Sequence, residues 1–179
     1  MENYFNTNYK IPTTTSGKTS QLMQLFEEGL KDIFWAEKAL IKEIPLWIQN
    51  ATSVELIEVL MNHLEETYQQ VDRLAVIYRS IDKKVEVKLC EAMEGLIAEV
   101  GKRIASCEPG AMKDARIVAS TQKIIHYEIA AYSTLYQFAE TLGLNEAAEL
   151  LLVTLYEEKT TDKKLAEVSG AFIQTETTT

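Results

Sequence analysis

Between Ile124 and Leu142 the chain reads IIHYEIAAYSTLYQFAETL, an amphipathic helix with a carboxylate at the centre of its apolar face. At ~100° per residue, Thr121, Ile124, Ile125, Tyr132, Leu135, Ala139 and Leu142 all fall within ~60° of Glu128. An ionised carboxylate there costs several kcal/mol unless something of opposite charge meets it. A single such Glu proves little; its weight depends on whether other helices bring carboxylates to the same place. His126, two residues earlier, points to roughly the opposite side.

The same anomaly recurs along the chain. A first helix is expected from Thr19 or Ser20, either of which can cap it, to about Asn50. Its face is Leu22, Phe26, Leu30, Ile33, Phe34, Leu40, Ile41, Ile44 and Ile48, with Glu37 at the centre. Pro45 should bend that helix or end its regular part. A second helix is expected from Thr52, with Glu55 completing a capping box, to about Ser80. Its main stripe is Leu60, Leu64, Val71, Leu74 and Tyr78. A shorter third helix is expected over about Glu86 to Ser106, before the break at Glu108-Pro109-Gly110. The fourth, about Met112 to Leu142, stops at Gly143. Asn145 can cap a fifth, about Glu146 to Ser169, on which Glu158 lies between Leu151 and Leu165 and Asp162 follows one turn later.

Short links join helices one to two and four to five, giving two antiparallel hairpins. The connection of ~30 residues between them carries a helix of its own and can cross from one end of a bundle to the other. The expected class is all-α: a ferritin-like four-helix bundle with one long crossover carrying an additional shorter helix. Only 7 glycines and 3 prolines fit long helices better than a turn-rich β fold. One helical domain is expected over residues 19–170. Residues 1–18, polar but with Tyr4, Phe5 and Tyr9, form a flexible arm, and 171–179 a frayed tail.

A net charge of −9 argues against nucleic acid and anionic membrane as partners. There is no signal-peptide pattern and no apolar run of the ~20 residues a membrane span needs. Cys90 and Cys107, if on one helix, stand ~25 Å apart, too far for a disulfide. Two unpaired thiols suit a cytoplasmic protein. Trp35 and Trp47 read as packing or subunit-contact residues.

Four carboxylates on four helices suggest one site. Ferritin-like di-metal centres take one Glu from each of two helices, and a Glu with a second ligand about a turn on from each of the other two. Carboxylates suit that role because they are hard, anionic and able to bridge two cations. Glu37 and Glu128 are the single ligands, and Glu158 with Asp162 the pair on helix five. On helix two, aligning Glu65-Glu66-…-Gln70 with Glu157-Glu158-…-Asp162 favours Glu66 with Gln70 and puts His63 on the same side. Glu65 with Tyr68 is the rival geometry. Against all this stands the reading of each Glu as a snorkelling residue or half of a structural ion pair. His126 reads as a surface or crossing-contact residue, and Tyr132 as a core aromatic with its hydroxyl satisfied.

Together LFEEGLKDIFWAEKAL, HLEETYQQVDRL, CEAMEGLIAEV, KIIHYEIAAYSTLYQFAETLG and LYEEKTTDKKL resemble the YciE/YciF-type stress-associated proteins of bacteria. The resemblance runs in order over about Gln21 to Val168. It implies a five-helix ferritin-like protomer, commonly a homodimer, and a di-metal site at Glu37, Glu66, Glu128, Glu158 and Asp162. Two divalent ions are expected, iron first and manganese as the alternative. His63, Gln70 and Tyr132 are expected around them. The wider superfamily places His one turn after a Glu; here Gln70, Thr161 and Asp162 occupy those positions, so an oxygen-rich site is expected. The implied activity is iron, oxygen or peroxide chemistry under stress, ferroxidase- or peroxidase-like if the protein is an enzyme. The alternative is a non-catalytic helical stress scaffold whose dimer surface is its activity.

Overall fold

The computed structural model describes residues 15–176. These form five helices: α1 Thr15–Asn50, α2 Val54–Ser80, α3 Glu91–Ala105, α4 Ala111–Leu142 and α5 Asn145–Glu176. Residues 15–18 and 171–176, expected in the arm and the tail, are therefore helical. Tyr4, Phe5 and Tyr9 lie outside the described residues. Among the described residues no helix is long and apolar enough to cross a membrane.

α1 packs on α2 and α4 on α5, while α1 also lies against α4 and α2 against α5. The crossover between the hairpins carries α3, which rests on α4 and touches α1. This is the four-helix bundle with one long connection that the link lengths require.

Local signals explain most boundaries. Ser53, one residue later than expected, caps α2 by accepting from the Leu56 amide. Pro45 lies inside α1, which continues to Asn50. Gly143 ends α4 in the left-handed region at φ 72°, where the Leu144 amide reaches back to the Ala139 carbonyl at 2.9 Å. Asp82, at φ 54°, makes the corresponding turn after α2, with the Lys83 amide on the Tyr78 carbonyl at 2.9 Å.

α3 begins five residues later than expected. Its cap is Cys90, whose Sγ accepts from the Met93 amide at 3.4 Å. The residues before it run extended along α1, tied by Lys83 to Glu27 at 3.1 Å, Glu86 to Lys31 at 2.5 Å and Lys88 to Asp32 at 3.6 Å. The alternation Val85-Glu86-Val87-Lys88-Leu89 favours that extended path.

One long-range anchor fixes the end of the bundle. Asp114, in the first turn of α4 and 1% exposed, accepts from the Thr52 amide (2.8 Å), the Thr52 hydroxyl (2.7 Å) and the Ser53 amide (2.8 Å). It thereby ties the α1–α2 turn to the start of α4. Phe26, Leu30, Ile33, Leu40, Ile44 and Trp47 of α1 fill the core, and Glu37 sits among them, fully buried.

Candidate metal centre

The face of α2 turned to the bundle interior carries His63, Thr67, Gln70 and Leu74, all buried. Their spacing of 4, 3 and 4 residues keeps them on one helical stripe. α1 brings Glu37 to the same depth, α4 brings Glu128 and Tyr132, and α5 brings Glu158, each with no exposed surface. One ligand atom from each of His63, Glu128 and Glu158 lies within 4.8 Å of the others. Glu37 adjoins them, since its charge acts on both Glu128 and Glu158.

Hydrogen bonds hold some of these atoms and conspicuously miss others. The Tyr132 hydroxyl donates to Glu37 Oε1. Gln70 Nε2 donates to Glu158 Oε1 at 2.7 Å and to Glu157 Oε2 at 3.2 Å. Behind Gln70, Arg73 grips Glu157 through two bonds of 2.8 Å and reaches Thr154 Oγ1 at 2.6 Å. Glu37 Oε2, both oxygens of Glu128, Glu158 Oε2 and both ring nitrogens of His63 are buried without a hydrogen-bond partner. Native interiors satisfy nearly all buried polar atoms, so such a concentration calls for an explanation.

The electrostatics point the same way. Burial pushes Glu37 up to about 8, although the Tyr132 hydroxyl partly opposes the rise. Burial, then the Glu37 charge, holds Glu128 and Glu158 well above the usual carboxylate range. Burial depresses His63 to about 4, so its imidazole is neutral and has a lone pair to give. Among the described residues no Lys or Arg forms an ion pair with the three carboxylates; Arg73 is paired with Glu157 and acts on Glu37 only as a minor influence. Unpartnered carboxylate oxygens and a neutral imidazole form a donor set that fits a divalent cation such as Fe(II), Mn(II) or Zn(II).

The structure thus brings together Glu37, Glu128 and Glu158, with Gln70 and Tyr132 bonded to two of them. His63, expected beside the site, is in the cluster itself, so the donor set includes imidazole rather than oxygen alone. Glu66 is half-buried beside the cluster, where one oxygen accepts from Thr161 Oγ1 at 3.0 Å. Burial raises its carboxyl. Glu65 is exposed and bonded to Gln69 at 3.3 Å, and Tyr68 is 48% exposed, so the rival geometry is not formed. Asp162 turns toward α4, where it meets Gln122 and His126 at 3.1 Å each. The residue one turn beyond Glu158 that faces inward is Thr161.

The reason lies in the rotation of α2 and α5. The apolar stripe through Leu64 and Val71 suggests an inward face that the fold turns partly aside, leaving both residues only half-buried. The inward face is the polar one, His63-Thr67-Gln70. The anchor formed by Arg73, Glu157 and Thr154 was missed; the antiparallel matching of α2 with α5 was the available signal.

Comparison with known proteins agrees with this architecture. A family model described as Domain of unknown function (DUF892) matches residues 21–178. Protein YciF of Escherichia coli strain K12 is 40% identical over 146 residues, covering 81% of this chain and 88% of YciF. The crystal structure of the E. coli stress protein YciF superposes with a TM-score of 0.83 at 38% identity, over 86% of this chain and 97% of that one. The YcfI protein of Rhodopseudomonas palustris gives 0.79 at 37% identity, over 81% and 92%. A Xanthomonas campestris protein gives 0.68 at 19% identity, over 86% and 94%, a likeness of fold alone.

Proposed function

The chain belongs to the DUF892 family, with the stress protein YciF among its relatives, and from that premise we propose that it is a metal-binding bundle protein of the stress response. The observation that carries the proposal is the convergence of His63, Glu128 and Glu158 within 4.8 Å, with His63 and Glu128 lacking any hydrogen bond. In this reading those three hold one ion. Glu37, with the free oxygen of Glu158 and the adjacent Glu66, would contribute to a second. Iron is the first candidate and manganese the next. When bound, iron would supply one-electron exchange with a small oxidant such as oxygen or peroxide.

The chain's own groups then have defined tasks. Tyr132 fixes one oxygen of Glu37 and leaves the other free. Gln70, held by the Arg73–Glu157 pair, fixes one oxygen of Glu158 in the same way. Such outer bonds orient ligands before an ion arrives. The surrounding apolar core excludes bulk water.

A second reading, the structural scaffold, is favoured by one observation: burial raises all three carboxyls, so they can stay neutral without any cation. Metal analysis decides between the two. Protein purified without chelator and loaded anaerobically with Fe(II) should hold about two ions per protomer, and Glu128→Gln should lose them. Wild-type protein that retains no more iron than the variant would refute the metal reading. Both readings accommodate a homodimer, which analytical ultracentrifugation can test.

A further inference from the structure

Cys90 and Tyr127 make a contact that the metal reading leaves unused. Cys90 Sγ and the Tyr127 hydroxyl lie 2.9 Å apart. Cys90 is 5% exposed, yet both residues line a surface cavity of about 300 Å³ between α1, α4 and the start of α3. Asp32, Lys88, Leu89, Glu91 and Ala92 share that cavity. Glu128, the next residue of α4 after Tyr127, is fully buried, unpartnered at both oxygens and close enough for charge on Cys90 to act on it. Tyr127 lines the cavity, bonds Cys90 there and directly precedes Glu128 in α4, so it joins the cavity wall to the helix that carries the cluster carboxylate.

We propose that this cavity is the cation entry site of the protein, where a divalent ion leaves water, passes the Cys90–Tyr127 pair and reaches Glu128. The inference rests on the metal reading above and adds a route to it. Three properties favour this path. Asp32 turns a buried oxygen without a hydrogen-bond partner into the region, with the exposed ammonium of Lys88 at 3.6 Å as its one ion-pair contact among the described residues. Cys90 Sγ and the phenol oxygen are soft and hard lone-pair donors that can replace part of an ion's water shell in turn. Their mutual contact is a single hydrogen bond, cheap to open.

Two other flanks carry side-chain contacts across them. Between α2 and α5, Arg73 presents positive charge and is locked to Glu157 and Thr154. Between α4 and α5, Gln122 and His126 converge on Asp162.

Stopped-flow absorbance of Co(II) uptake by the full chain tests the route. Ala92→Trp fills the cavity from an exposed position, and Leu89→Trp fills it from a second wall should the first variant fold poorly. Either should slow uptake on the order of tenfold while leaving the final stoichiometry unchanged, as expected when access and not affinity is altered. Asp32→Asn should slow uptake too and weaken its salt dependence. Tyr127→Phe, which removes the phenol oxygen from that relay of donors, should slow it. Unchanged rates in both tryptophan variants at full final occupancy would overturn the route and leave the metal site standing. Failure of the wild-type protein to take up Co(II) at all would overturn both.

Discussion

Stability of the metal-free protein should fall as pH rises from 6.5 to 8, the reverse of what paired surface carboxylates produce. The perturbation is deprotonation of the buried cluster. Glu37 moves from an ordinary value of 4.5 to about 8 on folding. A group with its folded pKa raised contributes stability fully below its unfolded pKa, and loses it as pH climbs through the folded value. Each unit of difference is worth about 1.4 kcal/mol, so Glu37 alone would account for about 5 kcal/mol across its whole window. His63 opposes it in the lower part. Its folded value is depressed from 6.5 to about 4, so its contribution is present above 6.5 and is lost as pH falls toward 4. Between about 4.5 and 6.5 the two slopes nearly cancel. From 6.5 to 8 only the carboxylates remain, and Glu37 removes about 2 kcal/mol. Glu128 and Glu158 shift in the same direction and can only steepen the fall.

Urea unfolding followed by circular dichroism, in chelator, reads this directly. With a slope of about 2 kcal/mol per molar urea, the midpoint should drop by about 1 M between pH 6.5 and 8. Glu37→Gln should make the decline above pH 6.5 shallower, and His63→Gln should make the decline below it steeper. Adding Mn(II) should reverse the trend, since ligands that must lose protons bind a cation more tightly as pH rises. A metal-free midpoint that is constant or rises from pH 6.5 to 8 would refute the argument that these carboxylates are buried without countercharge.

Two packing predictions are independent of metal. Gly29→Ala would place a Cβ 2.8 Å from Leu135 Cδ2, so α1 and α4 must separate or Leu135 must shift; thermal unfolding should report a loss of about 1–3 kcal/mol, partly recovered by pairing it with Leu135→Ala. Asp114→Ala would strip acceptors from the Thr52 and Ser53 amides and the Thr52 hydroxyl; urea unfolding should show a loss of about 2–4 kcal/mol, with faster hydrogen exchange at the start of α2.

Periodicity alone determined much of this protein. The five helices, their two hairpins, the crossover and the inward positions of Glu37, Glu128 and Glu158 follow from residues spaced at 3.6, because each carboxylate sits among apolar neighbours that mark its face. Tyr132 reads inward for the same reason. On α2 that marking fails: the inward residues His63, Thr67 and Gln70 are polar, and the half-buried Leu64 and Val71 draw the stripe to one side. A turn of one position, ~100°, is enough to exchange Gln70 for Gln69 or Thr67 for Glu66. On α5 the same angular ambiguity lets Asp162 look inward when Thr161 does. Which residue wins is set by how α2 and α5 rotate against each other to seat Arg73 on Glu157 and Gln70 on Glu158. Those contacts join residues more than eighty positions apart. A helical period records direction around one axis and carries nothing about the rotation of a neighbouring one, so the entry of His63 into the cluster was a decision of the tertiary structure.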